Sequence, residues 1–137
     1  MRNYECMCAC YIPTDCEERL AKAIVDCAYT VHRTLGPGLL EAVYEHCFCH
    51  ELQKRQIAHR RQVSVPLVYD GIKLPWCMRL DVLVNERVIC ELKSVETISP
   101  VFMAQILTQL KLVDLHLGFL INFNVSLIKE GIRRVIR

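Results

Sequence analysis

Residues 79–95, RLDVLVNERVICELKSV, place three charged side chains in a strand-like run of Leu, Val and Ile. The three residues are Asp81, Glu91 and Lys93. Burying an unpaired charge costs several kcal/mol, so strands that line a protein core normally exclude such side chains. Their presence here indicates that this predicted hairpin has a role beyond packing.

The turn between the two strands decides whether the two acids meet. Residues two apart on a strand point to the same face, so Glu91 and Lys93 share one side. A two-residue loop would oppose Asp81 to Cys90. A loop of odd length centred on Glu86 would instead oppose Asp81 to Glu91, with Cα atoms about 4.5–5.5 Å apart. Two carboxylates at that distance repel each other unless a proton or a cation lies between them.

A divalent metal ion would relieve the repulsion between Asp81 and Glu91. Two carboxylates, completed by waters and substrate oxygens, are a typical ligand set for Mg²⁺ or Mn²⁺. Lys93 beside that ion would orient a water or stabilise charge that develops on a phosphate. The alternative is a structural ion cluster, in which Lys93 neutralises one acid and the other lies at a solvated strand end.

The composition describes one domain without a membrane segment. The chain has 137 residues, of which 53% are hydrophobic, and this length is enough for a single core. No apolar run reaches the ~18 residues that span a bilayer. The N-terminal stretch MRNYECMCACYIPTDCEE lacks the continuous apolar segment of a secretory signal. We therefore expect a cytoplasmic protein without a membrane partner.

The nine cysteines are an odd number and cannot all pair within one monomer. We expect a reducing compartment, with free thiols used largely as small apolar residues. Cys6, Cys8, Cys10 and Cys16 lack the C-x2-C spacing of common zinc and iron–sulfur sites, so no metal is assigned to them. We expect residues 1–15 to form a cysteine-rich extension and residues 16–137 to form one domain.

The periodicity of the sequence predicts a mixed α/β domain with a central sheet. Thr14 and Glu17 form a capping-box pattern at the start of a helix that Gly36 ends, and Ser99 caps a later helix. Helices are expected at about 14–35, 39–53 and 99–113. Strands are expected at about 63–67, 72–76, 78–84, 88–94, 118–125 and 131–137, the last of them at an edge. Two helices, four strands, one helix and two strands therefore follow one another.

The D-x9-E-x-K pattern of Asp81, Glu91 and Lys93 on adjacent strands resembles the PD-(D/E)XK nuclease signature. GLLEAVY, residues 38–44, matches the G-x-x-E-x-x-Y motif of the bacterial GxxExxY protein family, which is classed within that superfamily. The stretches VHRTLGPGLLEAVYE, RLDVLVNERVICELKSVE, AQILTQLKL and GFLINFN also resemble blocks of that family. The resemblance implies a restriction-endonuclease-like fold, with a central mixed sheet flanked by helices.

The resemblance also implies roles for individual residues. Asp81, Glu91 and Glu41 would hold Mg²⁺ or Mn²⁺. The Leu92 carbonyl would be a further ligand, and Lys93 would be the catalytic lysine. Alternatively, Glu41 in the first turn of its helix only favours the helix dipole, worth ~0.3–1 kcal/mol.

The third predicted helix departs from the superfamily pattern. Gln105 matches the glutamine of the Q-x-x-x-Y motif and is counted with the catalytic residues, but Gln109 stands where tyrosine is usual. Phe102 and Met103 stand where polar residues are expected. Tyr44, one turn after the helix acid, is interpreted as a core aromatic.

These observations and the resemblance predict a Mg²⁺-dependent nuclease that hydrolyses phosphodiester bonds of nucleic acid, with DNA favoured over RNA as the partner and the choice of substrate left open. The net charge of +2 argues neither for nor against nucleic-acid binding, but basic residues cluster at 54–61 and at 129–137. Arg60, Arg61 and the C-terminal arginines would hold the nucleic-acid backbone with little sequence dependence. Arg79, two residues before Asp81, would either pair with the acids or contact a phosphate.

The alternative is a non-catalytic assembly protein that retains the fold. The third helix is apolar over more than the ~100° stripe that one sheet face covers. A second subunit would cover the excess, which predicts a homo-oligomer with Phe102 or Met103 in the contact. Otherwise the first two helices of the same chain cover it.

Overall fold

The computed structural model describes residues 11–137. In this part of the chain the elements are α1 (Asp15–Leu35), α2 (Glu41–Lys54), β1 (His59–Tyr69), β2 (Ile72–Val84), β3 (Val88–Lys93), α3 (Pro100–Leu112), β4 (Leu117–Asn122), α4 (Ile128–Gly131) and β5 (Ile132–Ile136). The strands form one sheet in the order β1-β2-β3-β4-β5. Only β3 and β4 are parallel neighbours, and the other adjacent pairs are antiparallel.

The sheet separates two hydrophobic cores. On one face α1 and α2 pack against residues such as Val82 and Leu92, and on the other face α3 packs against residues such as Ile89. α3 connects β3 to its parallel neighbour β4, as parallel strands require a crossover connection. The chain is therefore an α/β fold, a five-stranded mixed sheet flanked by helices, as predicted.

The helix ends follow the local signals in the sequence. Thr14 caps α1, and the side chain of Glu17 accepts a hydrogen bond from the Thr14 backbone in return. Ser99 caps α3, and its hydroxyl accepts from the Val101 backbone N–H. Among the helices of residues 11–137, none combines the length and the apolar character needed to cross a bilayer.

α3 lies close to β4 because Gly118 has no side chain. A Cβ atom on Gly118 would come within 3.0 Å of Ile106 Cδ1 and 3.2 Å of the Ile89 carbonyl oxygen. Ile106, fully buried, therefore rests directly on the sheet. This contact determines how closely α3 packs on the sheet that carries Asp81, Glu91 and Lys93.

Two details of the predicted element order are wrong. Residues 72–76 and 78–84 form a single strand, β2, and the one-turn helix α4 was not expected. β2 stays paired with β1 beyond Pro75, for example at Pro66 and Cys77. Since β3 pairs with β2 only from Val82 onwards, one side of β2 has no neighbour there, which is where a strand tolerates proline.

The described cysteines are free thiols, and three of them belong to the core. Cys27, Cys49 and Cys90 are buried in the larger cluster between the sheet and the first two helices. Burial raises the pKa of Cys27 to about 11 and that of Cys49 to about 12, so both remain protonated. Their use as small apolar residues is thus confirmed. The extension expected at residues 1–15 lies, up to residue 10, outside the described residues.

We expect Gly131→Ala to destabilise the fold by about 1–3 kcal/mol, because overpacking has a cost of that order. A Cβ atom on Gly131 would lie 2.1 Å from the Asn122 carbonyl oxygen, which is part of the backbone and cannot simply turn away. Thermal unfolding measures the effect, with the exposed Ser126→Ala as the control. Equal melting temperatures of the two variants would contradict this packing argument.

Candidate active site

The hairpin register brings Asp81 opposite Glu91. β2 and β3 pair as Val84 with Val88 and as Val82 with Cys90, which leaves a three-residue loop centred on Glu86. In an antiparallel pair, opposed residues have a constant sum of residue numbers, and the next pair along this ladder is Asp81 with Glu91. Of the two loop lengths considered from the sequence, the structure therefore has the odd one, which places the two acids opposite each other.

The ladder opens at this pair, and the two carboxylates occupy the opening. The Asp81 backbone N–H donates to Glu91 Oε1 at 3.1 Å, and the Leu92 backbone N–H donates to Asp81 Oδ2 at 3.0 Å. Each acid thus takes the place of a carbonyl in the strand-to-strand hydrogen bonding. The two side chains are held between the strands by backbone groups and do not depend on flexible partners.

Asp81 also marks a break in the alternation of β2. Leu80 and Leu83 both pack in the smaller core under α3, although residues three apart in a regular strand face opposite sides. On β1, Gln62 lies opposite Asp81 in the register and has a φ of 50°, outside the strand region. The local distortion of both strands turns the Asp81 side chain into the opening.

The protonation of the two acids reflects burial and mutual repulsion. Burial, followed by the charge of Asp81, raises the pKa of Glu91 to about 8. Burial likewise raises the pKa of Asp81. Within residues 11–137, neither acid forms an ion pair with a basic side chain. Two adjacent carboxylates, that of Glu91 buried and that of Asp81 half-buried, without a protein counter-ion are a donor set that fits a divalent cation.

Glu41 is positioned by the G-x-x-E-x-x-Y stretch. Gly38 adopts a φ of 99°, which a side chain would disfavour, and the turn it forms leads directly into α2. The Tyr44 hydroxyl donates to the Gly36 carbonyl at 2.6 Å and accepts from the Leu39 N–H at 3.1 Å. Tyr44 itself is fully buried, so its interpretation as a core aromatic is confirmed. Its two hydrogen bonds also stabilise the turn before Glu41.

Glu41 lies within electrostatic reach of the hairpin residues. Burial raises the pKa of Glu41, the positive charge of Lys93 opposes this shift, and the charge of Asp81 adds to it. Within residues 11–137, however, no three His, Cys, Asp or Glu side chains are grouped closely enough to hold a metal ion. The structure therefore brings Asp81 and Glu91 together, and the roles of Glu41 and of the Leu92 carbonyl as ligands stay predictions.

Lys93 ends β3 next to this site. Its ammonium lies 4.7 Å from the centre of the Phe102 ring, a cation–π contact that holds the side chain on the α3 side of the sheet. The amide of the buried Asn122 binds both the N–H and the carbonyl of Val95, at 3.0 and 2.9 Å. Asn122, opposite Lys93 on β4, thereby holds the chain segment that leaves the site. Its position at the end of an apolar strand was a signal in the sequence that we did not use.

Glu45 is a second acid that the sequence reasoning missed. It lies four residues after Glu41, on the same face of α2, and is buried. Its carboxylate accepts hydrogen bonds from Arg61 and Gln62 on β1. The negative charge of Glu45 contributes to the raised pKa of Asp81, so this neighbour belongs to the electrostatics of the site.

A cavity of about 430 Å³ lies between α3 and the β2–β3 hairpin. Its polar lining consists of Arg79, Glu91, Gln105, Thr108 and Gln109. Gln105 therefore shares a cavity with one of the two acids, and its role as a catalytic residue stays a prediction. Arg79 forms no ion pair with either acid in the described chain, and its contact with a phosphate stays a prediction.

The basic clusters are largely neutralised within the protein. Arg60 pairs with the exposed Glu86, and Arg61 pairs with Glu45. At the C-terminus, Arg134 pairs with Glu18 and Arg137 with Asp114. This pairing weakens the argument that Arg60 and Arg61 hold a nucleic-acid backbone.

Comparison with known proteins gives one match. A family model described as the PD-(D/E)XK nuclease superfamily matches residues 18–135. No curated protein and no solved structure matches the chain. The match covers most of the chain and includes every residue of the predicted site; membership of the GxxExxY family within it stays a prediction.

We expect Asp81→Asn to stabilise the metal-free protein at pH 8. The raised pKa of Glu91 means that the native state retains a proton that the unfolded chain loses above about 4.5, so stability falls as pH rises from there to about 8. Asparagine removes the repelling charge and can still accept the hydrogen bond from Leu92. Thermal unfolding in a chelator should show a melting temperature several degrees higher at pH 8 than wild type and a smaller gain at pH 5.

The matched control is Glu86→Gln, which changes a carboxyl on the same hairpin that is exposed and already paired with Arg60. This control should not raise the melting temperature at pH 8. A lower melting temperature for Asp81→Asn would show that the two acids do not repel each other in the folded protein.

Proposed function

Because the chain belongs to the PD-(D/E)XK nuclease superfamily, we propose that it is a divalent-metal-dependent nuclease that hydrolyses phosphodiester bonds in DNA. The observation that carries the proposal is the pair of adjacent carboxylates in the opened β2–β3 ladder, of which Glu91 is buried and Asp81 half-buried. An assembly protein would gain stability by replacing either acid, because each buried charge has a desolvation cost. Retaining both is expected where catalysis requires them.

Asp81 and Glu91 would hold the metal ion, with Glu41 and the Leu92 carbonyl as further ligands. When bound, Mg²⁺ or Mn²⁺ supplies Lewis acidity, which polarises a phosphoryl oxygen and lowers the pKa of a coordinated water. The hydrogen bonds from the Asp81 and Leu92 backbone N–H groups orient the two carboxylates before any ligand arrives. Such fixed donors limit the reorganisation that binding would otherwise require.

Lys93 supplies a positive charge that is not committed to an ion pair in the described chain. Its contact with Phe102 keeps the ammonium on the face of the sheet where Glu91 lines the cavity. From there it would position the attacking water or stabilise the charge that develops on the phosphate. Arg79, at the same cavity, would contact a neighbouring phosphate of the backbone.

We expect wild-type protein to cleave DNA in Mg²⁺ or Mn²⁺ and to be inactive in a chelator. Lys93→Ala and Asp81→Asn should each lower the cleavage rate by at least about a hundredfold, since each removes a group that acts on the reacting phosphate. The measurement is metal-dependent cleavage of single- and double-stranded DNA, with RNA as a parallel substrate. Lys111→Ala, which removes an exposed lysine at the end of α3, should retain wild-type activity.

Absence of cleavage on every substrate would favour the non-catalytic assembly protein. Faster cleavage of RNA than of DNA would correct the substrate class alone. Equal rates for wild type and Lys93→Ala would show that the activity comes from another site or from a contaminant.

We also propose that the protein forms a homo-oligomer through the outer face of α3. Phe102 and Met103 are half-buried: Phe102 contacts Lys93, and Met103 packs against the smaller core. α1 and α2 lie on the opposite face of the sheet, so they do not cover α3. Leu107 and Leu112 on α3 remain 40% and 44% exposed, and a second subunit would cover them.

Light scattering at micromolar concentration tests this assembly. Wild type should have at least the mass of a dimer, and Leu107→Glu should have the mass of a monomer, because it places a charge in the apolar contact. Gln53→Glu, at an exposed position on α2 on the opposite face of the sheet, is the control and should retain the wild-type mass. A monomeric wild type would rule out the interface.

A further inference from the structure

The β1–β2 hairpin projects beyond the rest of the sheet. β3 pairs with β2 only from Val82 onwards, so within the described chain residues 72–80 of β2 have a strand on one side only. None of residues 66–77 belongs to either hydrophobic core, and only Leu67 and Leu74 among them are half-buried. We call residues 66–77 the hairpin arm. The arm is surrounded by solvent and adds nothing to either core.

The hairpin arm presents large apolar side chains to solvent. Trp76 is 67% exposed and Tyr69 is 73% exposed, although tryptophan is on average among the more buried side chains. Ile72, which lies opposite Tyr69 in the register, is exposed as well. Clusters of exposed apolar side chains mark binding surfaces. Because the arm packs against no core, folding does not account for these side chains.

The free edge of β2 is unsuited to pairing with a further strand. In the hairpin arm, residues 74–76 of β2 lie opposite Leu67 of β1 alone, which makes a bulge that contains Trp76. A bulge interrupts the regular ladder and redirects side chains, and Pro75 within it has no N–H to donate. Bulges and prolines on an edge strand prevent the addition of another strand. A partner of the arm therefore meets its side chains and not its backbone.

The charges on β2 favour a nucleic acid as this partner. Lys73 and Arg79 lie on either side of Trp76 along the strand, and neither forms an ion pair in the described chain. Asp70, at the turn, is the one acid in residues 62–80. Aromatic side chains that stack on bases, combined with basic side chains that contact phosphates, are the usual means of binding single-stranded nucleic acid.

The hairpin arm and the proposed catalytic acids are joined by one strand. Trp76 precedes Asp81 by five residues, which is about 17 Å along an extended strand. About five stacked nucleotides cover that distance. The bases of a duplex are covered by their neighbours, whereas the bases of a single strand can stack on an exposed indole. The arm therefore suits a single strand that runs along β2 towards the acids.

We propose that the hairpin arm binds a single-stranded segment of the substrate, with one base stacked on the Trp76 indole and with Lys73 and Arg79 against the phosphates. The proposal rests on the proposed nuclease function, since it places the bound strand relative to Asp81 and Glu91. Every base has a π face, so the arm binds single strands without a sequence preference. Trp76 is a specificity residue in this arrangement, because it distinguishes single-stranded from double-stranded substrates.

Trp76 is the one tryptophan of the chain, so its fluorescence tests the proposal directly. The full-length wild type, with Ca²⁺ in place of Mg²⁺, is excited beyond the tyrosine absorption band. It is titrated with oligothymidylate, with a base-free backbone of tetrahydrofuran units of the same length, and with duplex DNA. Oligothymidylate should quench the emission, because a base then stacks on the indole. The base-free backbone and the duplex should leave the emission unchanged, because neither offers an unstacked base.

Variants of Trp76 measure what stacking contributes to affinity. In fluorescence anisotropy, Trp76→Leu should bind labelled oligothymidylate about tenfold more weakly than wild type. Trp76→Phe should retain most of the affinity, because it keeps an aromatic ring. Both should melt at the wild-type temperature, since the side chain lies outside both cores. Tyr29→Leu, which removes an exposed aromatic ring from α1, is the matched control and should bind as wild type does.

Two results would overturn the proposal and leave the nuclease standing if wild type still cleaves DNA. They are quenching by oligothymidylate no stronger than by the base-free backbone or the duplex, and equal affinities of wild type and Trp76→Leu. Quenching without any cleavage would keep the arm as a single-strand site and reject the nuclease. Emission that shifts with protein concentration, and with no oligonucleotide, would instead make the arm a contact between copies of the chain. Quenching is measured on unmodified protein, so a variant that fails to fold does not affect it.

Discussion

The repulsion between Asp81 and Glu91 is the constraint on which the rest of this structure depends. A buried carboxylate beside a half-buried one is unfavourable, and the raised pKa of Glu91 reflects that cost. The surrounding fold tolerates the pair because backbone N–H groups bind both side chains and because a core of buried apolar residues lies on either side of the sheet. The stability of the domain thus comes from the layers of helix and sheet, and the hairpin between them is free to carry an unfavourable charge arrangement.

Local signals in the sequence were sufficient for the helix ends and for the hairpin. The capping box at Thr14 and the cap at Ser99 are confirmed, and the odd loop around Glu86 is the one of the two considered that the hairpin contains. All three depend on residues close together in the chain. The resemblance to the superfamily also predicted the fold from local sequence, because the D-x9-E-x-K motif lies within this one hairpin. The division of residues 72–84 into two strands was wrong, because β2 continues through Pro75, where the strand is paired on one side only.

What the sequence could not show are the contacts between distant segments. Glu45 pairs with Arg61 across sixteen residues, and Arg134 reaches Glu18 across nearly the whole chain. The clusters of basic residues suggested side chains available to bind nucleic acid. Whether a basic side chain is available depends on its neighbours, and most of these arginines form ion pairs with acids. Within residues 11–137, the buried Oε1 of Gln109 forms no hydrogen bond, which is likewise a property of packing, visible only once α3 is placed on the sheet. Whether Glu41 can bind a metal ion likewise depends on its distance from Asp81 and Glu91, which are far from it in the sequence.

The two acids are separated by ten residues and belong to one hairpin, whereas α3 reaches them only through a crossover connection between parallel strands. The entropy of closing so short a loop is small, and the pairing of such a hairpin does not wait for the rest of the sheet. The two acids of the site are therefore close together in the chain, whereas α3, which forms the other wall of the cavity, is brought to them by the tertiary fold. Substitutions in α3 can alter which molecules enter the cavity without disturbing the hairpin, so chemistry and selectivity can diverge independently in this fold.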